Sequence, residues 1–208
     1  MAASDGSSRF VGAISQLGLS RRTVVALDVD GVLADQVPHV LSRANKEFGV
    51  TMKKAEITAW DTCVASIPFD KLIARYLLDP NFVLTMPEMA GAKEAVAVIR
   101  EKARIIVGSS RPLETEKETI LWLKQHFDFD ETQFINTAQT GKLSLPAEIL
   151  IDDNIDNAAG FARAKIPRFA ILFSQPWNQE RNGITELIEG KKVIPMENWF
   201  SIKNFFQS

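Results

Sequence analysis

Cysteine and histidine are scarce in this 208-residue chain: Cys63 is the single cysteine and there are two histidines. A lone cysteine excludes an internal disulfide and fits a reducing, cytoplasmic setting. Its side chain reads as a small apolar filler. So few thiols and imidazoles exclude a zinc centre of the Cys/His type. No apolar run approaches the ~20 residues that a membrane helix needs. Neither sign of charge dominates, since 24 Lys and Arg stand against 26 Asp and Glu for a formal net charge of −2. That balance leaves no electrostatic footprint for a nucleic-acid polymer or a membrane surface. Repeats and low-complexity segments are missing too. Residues 1–22 lack the apolar centre of a secretory signal and read as a tail or short surface helix. Arg9, Arg21 and Arg22 among serines would also suit an organellar targeting segment, against which Asp5 counts.

What is present is an ordinary apolar fraction, 46%, enough for the core of one domain with a small insertion. Thr23-Val24-Val25-Ala26-Leu27-Asp28 is an apolar run ending in an acid, which predicts a buried strand that delivers a carboxylate at its C-terminal end. A helix is predicted over residues 39–48, with Gly49 as its stop. Residues 50–87 lose the strand–helix rhythm and read as a mostly helical insertion. The rhythm then resumes. Helices are predicted over residues 92–103, 114–126, 157–164 and 197–206, the last with Trp199, Ile202 and Phe206 inward. Strands are predicted over residues 104–108, 134–136, 149–151 and 169–173. The fold class is therefore α/β: a parallel sheet in three layers, covered by helices on both faces. Residues 23–36 and 88–208 form the core, and residues 37–87 form a small cap inserted after the first strand.

In such sheets the ligand site opens at the carboxyl ends of the strands. Three predicted strands end there in polar pairs: Asp28 with Asp30, Ser109 with Ser110, and Asp152 with Asp153. Four carboxyl groups brought together repel one another unless a cation lies between them. A site of few carboxylates, completed by waters and a substrate phosphate, suits Mg²⁺. The chemistry available is phosphoryl transfer. A carboxylate can attack phosphorus to give an acyl phosphate, and a second acid can protonate the leaving oxygen and later activate water. A lysine such as Lys142, together with the metal, offsets the charge on the group in flight. Taken singly, Gly31 could be a turn residue, Ser109 a helix cap, Lys142 a solvated surface lysine, and Asp152-Asp153 before Asn154 an N-cap cluster.

In this order the motifs resemble the haloacid dehalogenase superfamily of phosphatases. They are Asp28-Val29-Asp30-Gly31-Val32, then Ser109 in Ile105-Ile106-Val107-Gly108-Ser109-Ser110-Arg111-Pro112, then Lys142, then Ile151-Asp152-Asp153. The resemblance spans residues 23–173. It implies that Asp28 is the nucleophile and Asp30 the general acid/base. It also implies Mg²⁺ held by Asp28, by the backbone carbonyl of Asp30, and by Asp153 or Asp152, with Asp153 preferred. Ser109 and Lys142 would bind the phosphate. Asp30 argues against dehalogenation, because the dehalogenases of that superfamily lack this acid.

Within the superfamily the chain is similar to the 5'(3')-deoxyribonucleotidases. Gly31-Val32-Leu33-Ala34-Asp35 continues the first motif, and Thr140-Gly141-Lys142 stands shortly before Ile149-Leu150-Ile151-Asp152-Asp153-Asn154. Leu172-Phe173-Ser174-Gln175-Pro176-Trp177-Asn178 matches a segment of bacterial members. Ser109-Ser110 departs from the Thr-Ser common in nucleotidases, and the region beyond Trp60 matches loosely. The resemblance implies a small phosphorylated substrate, a nucleoside monophosphate above all, and a homodimer. Ser110 belongs to the same phosphate-binding turn. Arg111 could reach a substrate phosphate or pair with an acid. Trp60, Phe69, Tyr76 and Phe82 read as the core of the insertion, with Trp60 the best candidate to stack on a base. Trp177 and Asn178 could line the rim or turn the chain. Three other readings stay open: a phosphatase of another phosphomonoester such as a sugar phosphate, a mutase with the same intermediate, and a silent binding protein on this fold.

Overall fold

The structure is a computed structural model that describes residues 20–164 and 168–208. The expectations for residues 1–19 lie outside the described residues; residues 21 and 22 form a turn ahead of the first strand.

Strand β1 (Val24–Asp28) is an apolar run buried along nearly its whole length, as a strand flanked on both sides must be. It pairs in parallel with β4 (Arg104–Ser109) and with β6 (Ile149–Asp152). Strand β5 (Phe134–Asn136) continues the sheet beyond β4, while β7 (Phe169–Phe173) and β8 (Val193–Met196) continue it beyond β6. Among the described residues the sheet has six strands in the order β5-β4-β1-β6-β7-β8, all parallel. The chain grows outward on one side of β1 through β4 and β5, then crosses to the other side at β6. The point where the order reverses is β1, and a ligand crevice is expected beyond its C-terminal end.

Alternation along each strand sorts side chains into two cores. Val25, Leu27, Ile105, Val107, Ile149, Ile151 and Ile171 face one cluster. Ala26, Ile106, Leu150, Ala170 and Leu172 face the other. The first cluster is covered by helices α4 (Ala92–Lys102) and α7 (Trp199–Gln207). Trp199 of α7 also donates its indole N–H to the Val32 carbonyl at 2.8 Å. The second cluster is covered by α6 (Ile155–Ala162). Helix α5 (Glu116–Phe127) follows β4 and buries Trp122, Leu123 and Phe127.

The long connection from β1 to β4 carries α1 (Gln36–Phe48), α2 (Phe69–Tyr76) and α3 (Pro80–Leu84). Helix α1 ends where Gly49 takes a left-handed φ of 67°, the stop its glycine signals. Phe69, Tyr76 and Phe82 are buried and belong to the same apolar cluster as Leu27 and Val107. The insertion also contains a two-stranded hairpin that its composition does not signal: β2 (Cys63–Val64) against β3 (Ile67–Pro68). Its turn residues, Ala65 and Ser66, have φ of 50° and 69°, a conformation normally signalled by Gly or Asn. Two expectations are corrected. Cys63 is exposed on this hairpin and fills no core. The sheet has a further edge strand, β8, in a stretch whose Pro195 masks the strand pattern.

Candidate functional site

The C-terminal ends of β1, β4 and β6 open into one cavity of about 250 Å³, lined by Asp28, Asp30, Ser110, Arg111, Lys142 and Asp153 on the sheet side. Asn154 and Asn157 of the turn into α6 complete that side. Gln36, directly after the first motif, also lines the cavity, and Trp60, Asp70, Ile73 and Leu77 come from the insertion. The volume is near the lower end of small-molecule sites.

Asp28, the last residue of β1, accepts at Oδ1 from its neighbour Val29 N–H (2.7 Å) and from Lys142 Nζ (2.6 Å). Lys142 stands at the start of a short 3₁₀ turn after Gly141 and also donates to the Gly108 carbonyl. Its ammonium is buried, yet Asp28 and Asp152 hold its pKa above the ordinary value against the burial. Asp28 is pushed up to about 7, first by burial and further by the charges of Asp152 and Asp30, with Lys142 pulling the other way.

Asp152 ends β6 and is wholly buried. It accepts from Asn154 N–H at 2.8 Å and from Asn157 Nδ2 at 3.2 Å. Burial raises its pKa, against Lys142 and these hydrogen bonds. Asp153 follows, and its pKa is raised well above the usual carboxylate range by burial and by the neighbouring Asp152 and Asp28 charges. Asn154 caps α6 by accepting from the N–H groups of Asp156 and Asn157. The N-cap reading of this cluster therefore holds for Asn154, while Asp153 faces the cavity. Among the described residues Asp28, Asp152 and Asp153 form a set whose carboxylate oxygens lie within 4.8 Å of one another. Three hard oxygen donors, each disfavoured as a free anion by burial, suit a divalent cation such as Mg²⁺. The Asp30 carboxylate is not in this set. Both its oxygens accept from Arg111, at 2.7 Å from Nη2 to Oδ1 and 3.0 Å from Nε to Oδ2.

The turn after β1 has one backbone solution. Gly31 has φ of 76°, and a Cβ there would lie 2.3 Å from Asp153 Oδ2. The close approach requires glycine. Gln175 Nε2 donates to the Gly31 carbonyl at 2.7 Å, and Asn178 Nδ2 donates to the Asp153 carbonyl at 2.7 Å. Trp177 donates its indole N–H to Asp153 Oδ2 at 2.8 Å, and its ring meets Trp60 with centroids 4.9 Å apart.

Most of the sequence-predicted residues meet here. Ser110 lines the cavity and shares a hydrogen bond of 3.0 Å with the Thr137 hydroxyl. Ser109 does not line it: its hydroxyl is fully buried and accepts from Arg111 N–H at 3.2 Å. Arg111 spends its guanidinium on an acid, the second of its two readings. Trp60 is half-buried on the insertion wall, unlike Phe69, Tyr76 and Phe82. Sequence reasoning missed Gln36, Asp70 and Asn157. Gln36 is buried at the cavity and its carboxamide has no hydrogen-bond partner among the described residues. Its place directly after the first motif was the only available signal. Asp70 and Asn157 carried none, because helix faces decide what they meet.

The fold and this strand-end constellation define a hydrolase of the haloacid dehalogenase class. Solved structures agree on the fold. A HAD family hydrolase from Deinococcus radiodurans, with bound phosphate and sodium, superposes with a TM-score of 0.55 at 13% identity, covering 85% of this chain and 92% of that one. A haloacid dehalogenase-like hydrolase from Xanthomonas campestris gives 0.51 at 13% identity, covering 90% and 96%. The model of the family described as 5' nucleotidase, deoxy (pyrimidine), cytosolic type C protein matches residues 22–192, and the chain belongs to that family. Two 5'(3')-deoxyribonucleotidases, from Bacillus subtilis strain 168 and from Bacillus phage SPbeta, are each 24% identical over 176 residues. These cover 83% of this chain and 96% of each relative. The chain is thus a phosphoric monoester hydrolase, a nucleotidase of haloacid dehalogenase type acting on a small phosphorylated substrate.

Proposed function

We propose that this chain is a Mg²⁺-dependent 5'(3')-nucleotidase that dephosphorylates nucleoside monophosphates, deoxyribonucleotides foremost, through a phosphoaspartyl enzyme on Asp28. The observation that carries the reading is the surroundings of Asp28. One of its oxygens is held by Lys142, and two further buried carboxylates lie within 4.8 Å. Mg²⁺, held by Asp28, by Asp153 with Asp152 beside it, and by the backbone carbonyl of Asp30, would supply positive charge to the phosphoryl oxygens.

The chain's own residues do the rest. The free oxygen of Asp28 attacks phosphorus as the ester P–O bond breaks, and Asp30 gives its proton to the departing oxygen. Asp30 then takes a proton from water, the water oxygen attacks the phosphoaspartyl phosphorus, and phosphate leaves with Asp28 restored. Lys142 keeps Asp28 ionised and aimed, and faces the phosphoryl oxygens together with the Ser110 hydroxyl. Ser109 acts from beneath by fixing the turn that carries Ser110. On the insertion wall Trp60 offers a ring face to a base, and next to the first motif Gln36 offers a carboxamide that can both donate and accept. The exposed thiol of Cys63 goes with a reducing, cytoplasmic setting.

The test is phosphate release from a panel of nucleoside monophosphates and sugar phosphates, with Mg²⁺ and with chelator. Deoxynucleoside monophosphates should turn over fastest and chelator should abolish turnover. Sugar phosphates turning over much faster would overturn the substrate. Loss of substrate without phosphate release would mark a mutase, and inertness towards chromogenic phosphomonoesters would mark a silent binder.

A further inference from the structure

Among the described residues Arg111 is the buried cation at the cavity whose partner is the second acid of the first motif. Its side chain is 0% exposed, while that of Asp30 is 22% exposed. The contact is side-on: Nε donates to Oδ2 at 3.0 Å and to Oδ1 at 3.2 Å, and Nη2 donates to Oδ1 at 2.7 Å. Two of the three remaining N–H groups are also directed inward. Nη2 reaches the Met86 sulfur at 3.0 Å, and Nη1 reaches the Thr119 hydroxyl at 3.4 Å. Thr119 donates its own proton to the Thr115 carbonyl at 2.9 Å, which leaves its oxygen free to accept.

The framework around the guanidinium is itself fixed. The ring of Trp122 lies 5.9 Å from the guanidinium carbon, and Trp122 donates its indole N–H to the Met86 carbonyl at 2.7 Å. The backbone of Arg111 is tied at both ends, by N–H to Ser109 Oγ at 3.2 Å and by its carbonyl accepting from Asn136 Nδ2 at 3.3 Å. A residue meant to grip a substrate phosphate presents a fork of free N–H groups to the cavity. Here the edge of the fork that could do so is already closed on Asp30. The geometry also leaves Asp30 half free. Oδ1 accepts from two Arg111 donors and Oδ2 from one, and Asp30 lines the cavity, where the transferable proton must sit.

We propose that Arg111 is the positioning residue of Asp30 and takes no part in binding the substrate phosphate. The planar guanidinium sets the rotation of the Asp30 carboxyl, so that its cavity-facing oxygen meets the leaving oxygen in the first half-reaction and water in the second. This rests on the acid/base role given to Asp30 above.

The experiment separates aiming from binding by leaving group. Arg111→Lys keeps the charge but offers a point donor in place of a planar fork, and Arg111→Met keeps the bulk alone. For each, kcat/KM is measured on a nucleoside monophosphate, whose alkoxide needs a proton to leave, and on p-nitrophenyl phosphate, whose phenolate does not. Inhibition by inorganic phosphate is measured alongside. Positioning predicts a loss at least tenfold larger on the nucleotide than on the aryl ester, with the phosphate inhibition constant within twofold of the parent. Equal losses on both esters, or a phosphate inhibition constant raised tenfold, would overturn the proposal in favour of phosphate binding.

Asp30→Asn is the reference. It should show the same leaving-group pattern, and if it does not, the acid/base reading fails independently of Arg111. If the parent cleaves other alkyl phosphates but no nucleotide, the same comparison is run on the alkyl phosphate that it does cleave. Should Arg111→Met fail to fold, Thr119→Val removes the contact behind Nη1 and leaves the carboxylate contacts in place. Positioning predicts a smaller loss of the same pattern there, and an unselective loss would count against it.

Discussion

The floor and the roof of the cavity are built on opposite principles. The floor, at the ends of β1, β4 and β6, is buried, charged and fixed by hydrogen bonds. Asp28 is tied to Lys142, Asp152 to Asn154 and Asn157, Asp153 to Trp177 and Asn178, and Asp30 to Arg111. The roof, from the insertion, is Trp60, Asp70, Ile73 and Leu77, of which Asp70 is, among the described residues, paired only with its exposed neighbour Lys71. A preorganised floor suits a reaction whose charge develops at a fixed point. A loosely bonded apolar roof suits the part of a substrate that only has to be recognised. The function proposed above thereby assigns chemistry and selectivity to different segments of one chain.

That division can be broken from either side. The largest effect is expected from Asp28→Asn, which should lower kcat on every substrate by roughly 10⁴-fold or more while the folded protein keeps its far-UV spectrum. Near-normal turnover would remove Asp28 as the nucleophile. Gly31→Ala comes next. Its Cβ would meet Asp153 Oδ2 at 2.3 Å, and its φ of 76° disfavours any side chain. The strain should cost about 1–2 kcal/mol of stability and raise the Mg²⁺ concentration needed for half-maximal activity at least tenfold. An unchanged Mg²⁺ requirement would mean that Asp153 does not hold the metal.

The pH dependence of metal-free stability tests the floor as a whole. The Asp28 pKa is raised to about 7 from an ordinary 3.8 by burial, and those of Asp152 and Asp153 shift in the same direction. Between those two values the folded state holds more protons than the unfolded one, so stability falls as pH rises through the window. The melting temperature without metal should therefore drop by several degrees from pH 5 to pH 7.5. Added Mg²⁺, which takes the ionised carboxylates, should stabilise more at the upper end. A metal-free melting temperature that climbs over this range would contradict the shifts. The smallest effect belongs to the roof. Trp60→Ala should raise KM for nucleotides about tenfold, from loss of a stacking contact worth roughly 1–3 kcal/mol, and leave p-nitrophenyl phosphate within twofold. Equal effects on both would make Trp60 a structural support.

The floor is also the part most legible in the sequence. Doubly covered parallel strands must be apolar throughout, so β1, β4, β6 and β7 appear as runs, and the polar residues that end them mark the crevice. Local signals fail where the backbone is held by its surroundings. Ala65 and Ser66 turn the hairpin without glycine or asparagine, and Val193-Ile194-Pro195-Met196 is a strand despite its proline. Within the site, local order does not tell which acid Arg111 meets, since Asp30 is 81 residues away along the chain. Nor does the pattern separate Ser109 from Ser110: adjacent residues at a strand end point to opposite sides, so one is sealed beneath the turn and the other faces the cavity.

Pro195 has a consequence for crowding rather than catalysis. A parallel sheet has two open flanks, and each is a template for a stray strand. Here one flank, β5, is three residues long, and the other, β8, carries a residue with no N–H to offer. Two molecules therefore gain little by zipping sheet to sheet. The six-stranded array is thereby a poor seed for fibrils even when concentrated.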